Sequence, residues 1–262
     1  MKVKKMDDKL NESIRMIRYY AGLAEEYGGY TVCFSGGKDS QVLLRLFELA
    51  GVKFHAIYNL TTIDPPDNVL FIRKNYPQVK IIRPKLNFFQ LIEKKKCLPM
   101  MNRRFCCSYL KERIGNGICA MGIRHEESYK RKKYEVISLN SKRKFDELMY
   151  KGQKCRFYPM LDWSELDVWT FIDDEKLQIN PIYEHAGRVG CMFCPYASTK
   201  QLIYYAKQYP GYFNLFLKTL NYLIDIGRFE KYGKVTANDV WEWYISKKSM
   251  SDFFYPRFDF KD

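Results

Sequence analysis

The segment Tyr30–Leu46, YTVCFSGGKDSQVLLRL, constrains this chain more than any other. A β-rich run, Tyr30 to Phe34, stops at Ser35-Gly36-Gly37-Lys38-Asp39-Ser40, and Val42, Leu43, Leu46 and Ala50 then recur at helical spacing. The pattern reads as strand, loop and helix, with the glycine pair where a parallel strand passes into its crossover helix. Such a junction binds anions. Gly36 and Gly37 let backbone N–H groups approach a phosphate with no Cβ in the way, the helix N-terminus adds partial positive charge, and Lys38 adds a full one. Ser35 and Ser40 supply hydroxyl donors. A glycine-rich turn with a solvated lysine would account for the glycines but not for both serines and the aspartate.

With 262 residues the chain can bury one large core, and 47% hydrophobic residues suit a soluble globular protein. No apolar run approaches the ~20 residues of a membrane span, and MKVKKMDDKL at the N-terminus lacks a signal-peptide core, so a cytoplasmic protein with no membrane partner is expected. In a reducing compartment the eight cysteines are not expected to form a disulfide framework, and clustered ones lean towards metal or catalysis. The net charge of +14 favours polyanions or a highly phosphorylated nucleotide. Basic residues gather at Lys94–Lys96, Arg103-Arg104, Lys130–Lys133 and Lys142–Lys144, with aromatics nearby. A nucleic acid backbone would suit them, and solvated loops around an anionic pocket account for them equally well.

Along the chain, residues 8 to 27 read as one amphipathic helix, and 53 to 58 as the strand that completes a βαβ unit. His55 within it is read as a structural residue. Thr61, Thr62 and Asp64 then stand at the C-terminal end of that strand, the edge where open α/β sheets collect ligands, before Pro65-Pro66 opens a helix. Short strands are expected at 78–82, 117–121 and 134–139, a helix at 87–93, and a loop at 151–155. Gly122-Ile123-Arg124-His125-Glu126-Glu127-Ser128 again falls at a strand's C-terminal end. A capped helix containing Trp163 to Trp169 follows, both rings read as core, and from 199 onward the chain is helical, with aromatics at core spacing. Cys106-Cys107 and the pair Cys191, Cys194, the latter followed by proline, supply four thiols. Their spacing leaves zinc, an iron–sulfur cluster and unliganded thiols open.

The phosphate loop is not of the GxxxxGK[ST] kind, which would need Gly at position 32 and Ser or Thr after Lys38; Val32 and Asp39 stand there. SGGKDS resembles instead the pyrophosphate-binding PP-loop of the adenine nucleotide alpha-hydrolase superfamily. TTIDPP, GIRHEES and PMLDWSELDVW are similar, in order, to motifs of the phosphoadenosine phosphosulfate (PAPS) reductase branch, so the likeness spans roughly residues 28 to 200. It implies an α/β fold: a parallel twisted sheet with helices on both faces, Rossmann-like, in a nucleotide-binding domain of residues 1–198, plus a C-terminal helical extension, 199–262, packed on it. It also implies an adenine nucleotide held by Ser35, Gly36, Gly37, Lys38, Asp39, Ser40, Thr61, Thr62, Asp64, Gly122, Arg124 and Glu127, with Lys38, Asp39 and Arg124 catalytic. Arg124 suits an oxyanion because its fork donates two parallel hydrogen bonds. Pairing with Glu126 or Glu127 in a surface loop is the plainer account of it. A Cys-Cys pair followed by CxxC looks like the [4Fe-4S] ligand set of adenylylsulfate reductases and some related sulfur-transfer proteins. That likeness makes Cys106, Cys107, Cys191 and Cys194 the ligands, with Zn2+ as the alternative.

One departure bears on the reaction. Reductases of the family carry a nucleophilic cysteine near the C-terminus, and here no cysteine follows Cys194. Cys33 and Cys119 lie in apolar strands, whereas Cys97 and Cys155 lie in basic segments that could activate a thiol. The resemblance therefore leads first to ATP- and Mg2+-dependent adenylation coupled to sulfur transfer, as in proteins of DNA phosphorothioation, with a nucleic acid acceptor and a separate sulfur donor. Thiol-dependent reduction of APS or PAPS with a thioredoxin-like partner is the second reading. A non-catalytic nucleotide- and nucleic-acid-binding protein is the third.

Overall fold

The computed structural model describes residues 6–112, 116–139 and 150–255, and the backbone at 143–144. Part of the basic run Lys142–Lys144, the first residues of the N-terminal segment and the end of the C-terminal extension lie outside the described residues. The chain forms two compact units, the first of Met1–Asn59, Pro66–Ile82 and Arg113–Val189, the second of Leu60–Pro65, Arg83–Glu112 and Gly190–Asp262. This division differs from the expected 1–198 and 199–262. Three stretches before residue 199, both cysteine pairs among them, group with the C-terminal helices because their apolar side chains share one core.

The first unit holds one seven-stranded sheet. Its strands are β1 (Tyr30–Cys33), β2 (Phe54–Asn59), β3 (Lys80–Ile82), β4 (Ile118–Ala120), β5 (Ile137–Leu139), β6 (Arg143–Lys144) and β7 (Cys155–Phe157), in the order β3-β2-β1-β4-β7-β5-β6. The first five in that order are parallel, and β5 and β6 run antiparallel to their neighbours. Tyr30, Val32, Ile118 and Phe157 are buried, as continuous apolar runs in covered parallel strands should be. Among the described residues, the helices of this unit are α1 (Met6–Tyr19), α2 (Ala21–Glu26), α3 (Lys38–Ala50), α4 (Pro66–Asn75) and, after α5 (Phe88–Lys95) of the second unit, α6 (Glu165–Asp174). This is the α/β class expected.

Two elements differ from the sequence reading. The single helix over 8–27 is two, interrupted at Tyr20, whose ring packs edge-on against Phe157 at 5.7 Å. The expected loop at 151–155 leads directly into β7, which pairs β4 on one side and β5 on the other. Three residues are too few to show a period, so the strand exists because both neighbours hydrogen-bond it.

The chain leaves β1 towards β2 and β3, and β4 flanks β1 on the opposite side. The strand order therefore reverses between β1 and β4, and the crevice at their C-terminal ends is where sheets of this kind bind ligands. Thr31 pairs with Cys119 and Val32 with Ala120, so the phosphate loop after β1 and GIRHEES after β4 emerge side by side.

The second unit contains α5, α7 (Thr199–Gln208), α8 (Pro210–Asp225), α9 (Ala237–Ser246) and α10 (Met250–Phe254). Its core is aromatic. Phe193 stacks on Phe216 at 4.8 Å with ring planes 12° apart, and Trp241 meets both edge-on. The C-terminal aromatics are therefore core, as their spacing indicates.

Candidate functional site

The phosphate loop is held by side chains from three other segments of the first unit. Gly36 has φ +79, and a Cβ there would lie 2.3 Å from Asn68 Oδ1, so both its conformation and its space require glycine. Asn68 donates to Ser35 O at 3.1 Å, Asn180 to Gly36 O at 3.0 Å and Gln41 to Gly36 O at 3.1 Å. Asn180 also donates to Asn68 Oδ1 at 2.7 Å, so these amides form one buried bracket behind the loop. Ser40 Oγ accepts from Ser35 N and Ser35 Oγ, both at 3.1 Å, and donates to Gly37 O at 2.8 Å. The two serines lock the turn to the first turn of α3.

Lys38 is buried, with its ammonium 3.5 Å from both Asp39 and Glu165 and 5.8–5.9 Å from the ring centroids of Tyr183 and Trp169. The Lys38 backbone N–H donates to Tyr183 Oη at 2.9 Å. Burial pushes the Tyr183 phenol up to about 12, so the hydroxyl keeps its proton while accepting that bond. Trp163 is core, as expected, but Trp169 is only half-buried and faces Tyr183 across the lysine.

Arg124, 3% exposed, comes from the segment after β4. Its Nε donates to Asp39 at 2.7 Å and its Nη1 to Glu126 at 2.9 Å, while its backbone N–H donates to Glu127 at 2.8 Å. The expected pair with Glu126 therefore exists, but the guanidinium is buried against the phosphate-loop aspartate rather than set in a surface loop. Gly122 makes this approach feasible, since a Cβ there would stand 2.6 Å from Asp39 O. Glu126 also accepts from Glu165 N at 2.6 Å, which joins the start of α6 to the same network.

Thr61, Thr62 and Asp64 belong to the second unit, with the cysteines. Asp64 accepts from Thr61 N at 2.6 Å, Thr62 Oγ1 accepts from Phe88 N at 2.8 Å at the start of α5, and Cys191 Sγ donates to Thr61 Oγ1 at 3.4 Å. Cys106, Cys107, Cys191 and Cys194 line one cavity together with Thr61 and Lys111. Hydrogen bonding between the two adjacent thiols pushes Cys106 up and lowers Cys107. Burial pushes Cys191 up to about 11 against the pull of Lys111. Among the described residues no three His, Cys, Asp or Glu side chains are disposed to hold a single metal ion. The four thiols on this cavity are the side chains that could hold a metal or a cluster.

The remaining thiols separate sharply. Burial pushes Cys33 and Cys155 up to about 12 and Cys119 to about 11. Cys155, read as activatable from its basic neighbours, is 0% exposed within β7, and burial outweighs those charges. Cys97 is half-buried and opens on a cavity of the second unit. The sequence reading missed Gln41, Asn68, Asn180 and Tyr183. Only Asn180-Pro181 carries a local signal, a turn-forming dipeptide.

A mostly parallel sheet with a glycine-serine phosphate loop at its switch point defines a PP-loop protein of the nucleotide-binding α/β class. The chain belongs to the phosphoadenosine phosphosulfate reductase domain family, whose model matches residues 29–197. An uncharacterized protein of Methanocaldococcus jannaschii is 24% identical over 234 residues, 84% of this chain and 54% of its own length. The chain thus spans about half of that relative. Sulfate adenylyltransferase subunit 2 of Zymomonas mobilis is 25% identical over 209 residues, 68% of this chain and 66% of its own length. Among solved structures, a PAPS reductase from Candida auris in a phosphate complex matches with TM-score 0.48 and 15% identity, over 70% of this chain and 93% of its own. No helix among the described residues is long and apolar enough to cross a membrane.

Proposed function

We propose that this protein binds ATP at Ser35–Ser40 and catalyses adenylation of an acceptor, coupled to sulfur transfer. The phosphate loop carries this reading: a glycine turn bracketed by buried amides and locked by two serines, the start of α3 and a buried lysine converge where a β- and γ-phosphate would lie. An acceptor oxygen attacks the α-phosphorus, the new O–P bond forms, and the bond to the β-phosphate oxygen breaks, releasing pyrophosphate. The Lys38 ammonium and the positive end of α3 stabilise the charge that develops on the leaving group. Asp39, anchored by Arg124, is the candidate carboxylate for Mg2+, which would neutralise the phosphates when bound. Hydrosulfide delivered by a separate sulfur donor then attacks the activated centre: the new bond to sulfur forms, the bond to the AMP oxygen breaks, and AMP leaves with that electron pair. The name of the Z. mobilis relative, an adenylyltransferase, favours adenylyl transfer.

Cys106, Cys107, Cys191 and Cys194 would hold a [4Fe-4S] cluster, supplying redox or sulfur-carrying chemistry when present. Reduction of adenylylated sulfate is the second reading. Outside those four, it depends on Cys97 as the accessible thiol. Protein purified without oxygen and incubated with ATP and Mg2+ should yield pyrophosphate, abolished in Lys38→Ala. Thiol-dependent sulfite from adenylylsulfate without pyrophosphate would establish reduction instead.

A further inference from the structure

A cavity of about 390 Å3 lies wholly within the second unit, away from any residue assigned a role above except Cys97. Its wall carries Lys96, Arg103, Arg228 and Lys248 and no carboxylate. Among the described residues none of these four cations is ion-paired. The Arg228 guanidinium is fixed by a hydrogen bond from Nε to Lys96 O at 2.5 Å, which leaves its remaining N–H groups for another acceptor. The lining also carries apolar side chains. Phe229 and Trp243 meet edge-on at 6.1 Å, and Trp243 is held by its Nε1 donating to Lys248 O at 3.1 Å. Part of the lining, from Leu223 onward, comes from helices beyond the segment that matches the family, so this chain builds the cavity with residues the family match does not include.

The four cations are solvent-exposed, so water screens their mutual repulsion, and together they raise the local positive potential that draws an anion to this space. An arginine fork beside lysines is the arrangement that holds phosphate oxygens, and aromatic walls favour a planar or apolar body attached to them. We infer that this cavity binds an organic phosphate, a phosphomonoester or phosphodiester carried on a planar base, supplied either as a free nucleotide or as a unit of a single strand. The inference does not depend on the adenylation reading, since no residue of the phosphate loop takes part.

The test uses the full chain in the Lys38→Ala background, which weakens any contribution of the phosphate loop. Binding of thymidine 5′-monophosphate, a fluorescent oligothymidylate and inorganic phosphate is measured by calorimetry and anisotropy. Arg103→Glu and Lys248→Glu should each weaken binding by about tenfold or more, because each removes a charge-assisted contact. Cys97→Trp, which fills the cavity without changing charge, should abolish it, with melting curves checking that the variants fold. Tighter binding of the monophosphate identifies a free nucleotide as the source, and tighter binding of the oligonucleotide a strand. Equal affinity for inorganic phosphate, an equal loss in Lys94→Glu, which lies outside the cavity, or undiminished binding in the folded Cys97→Trp variant would each overturn the inference.

Discussion

Gly36 and Gly122 show how single residues set the site. At Gly36 a side chain meets both a positive φ and a buried amide, so Gly36→Ala should cost about 2–4 kcal/mol and remove nucleotide binding; differential scanning calorimetry and ATP titration check both. At Gly122 the conflict is with backbone, the Asp39 carbonyl, which cannot rotate aside as a flexible side chain can. Gly122→Ala should therefore displace Asp39 and lower the proposed adenylation while leaving the sheet intact. Arg124 spans two carboxylates through different nitrogens, a task a lysine cannot perform, so Arg124→Lys should behave nearly as Arg124→Ala in pyrophosphate release.

Among the elements, α6 carries a capping box in which Ser164 accepts from Asp167 N and Asp167 accepts from Ser164 N. Burial alone would raise the Asp167 carboxyl, but Lys9 at 2.5 Å and the Ser164 donors outweigh it and hold the carboxyl below its ordinary value. A depressed folded-state value stabilises the protein above the unfolded value of about 4 and loses that stabilisation as pH falls through the folded value. Asp167→Asn should cost about 1 kcal/mol at pH 7, and the gap from the parent should close as urea melts are repeated below about pH 4. The CxxC loop depends on packing instead. Phe193, between its two cysteines, is fully buried against Phe216, and Phe193→Ala should cost about 3–5 kcal/mol and weaken loading of the proposed cluster.

At the scale of the molecule, the four thiols come from two segments that only the core of the second unit draws together. If these thiols hold the proposed cluster, anaerobic protein should carry iron and sulfide in equal amounts. Serine at any of Cys106, Cys107, Cys191 or Cys194 should reduce both, whereas serine at Cys33 should not, as metal analysis and absorption spectra will report. Zinc in place of iron would identify a tetrahedral structural site. The net charge of +14 acts over the whole surface, so affinity for any nucleic acid should fall steeply with salt.

Local pattern determined much of this protein. The phosphate loop, its helix, the α/β class and the C-terminal helices were legible because glycine, proline and apolar periodicity act over a few residues. Other features had no such signal. β7 is a strand only because two neighbours pair with it, and Asn68 and Asn180 serve the loop only because folding places their amides behind it. The burial that closes Cys155, and the grouping of Thr61 with Cys191, likewise came from packing. Hydrogen bonds and desolvation between distant segments depend on distance in space, which only the tertiary structure decides.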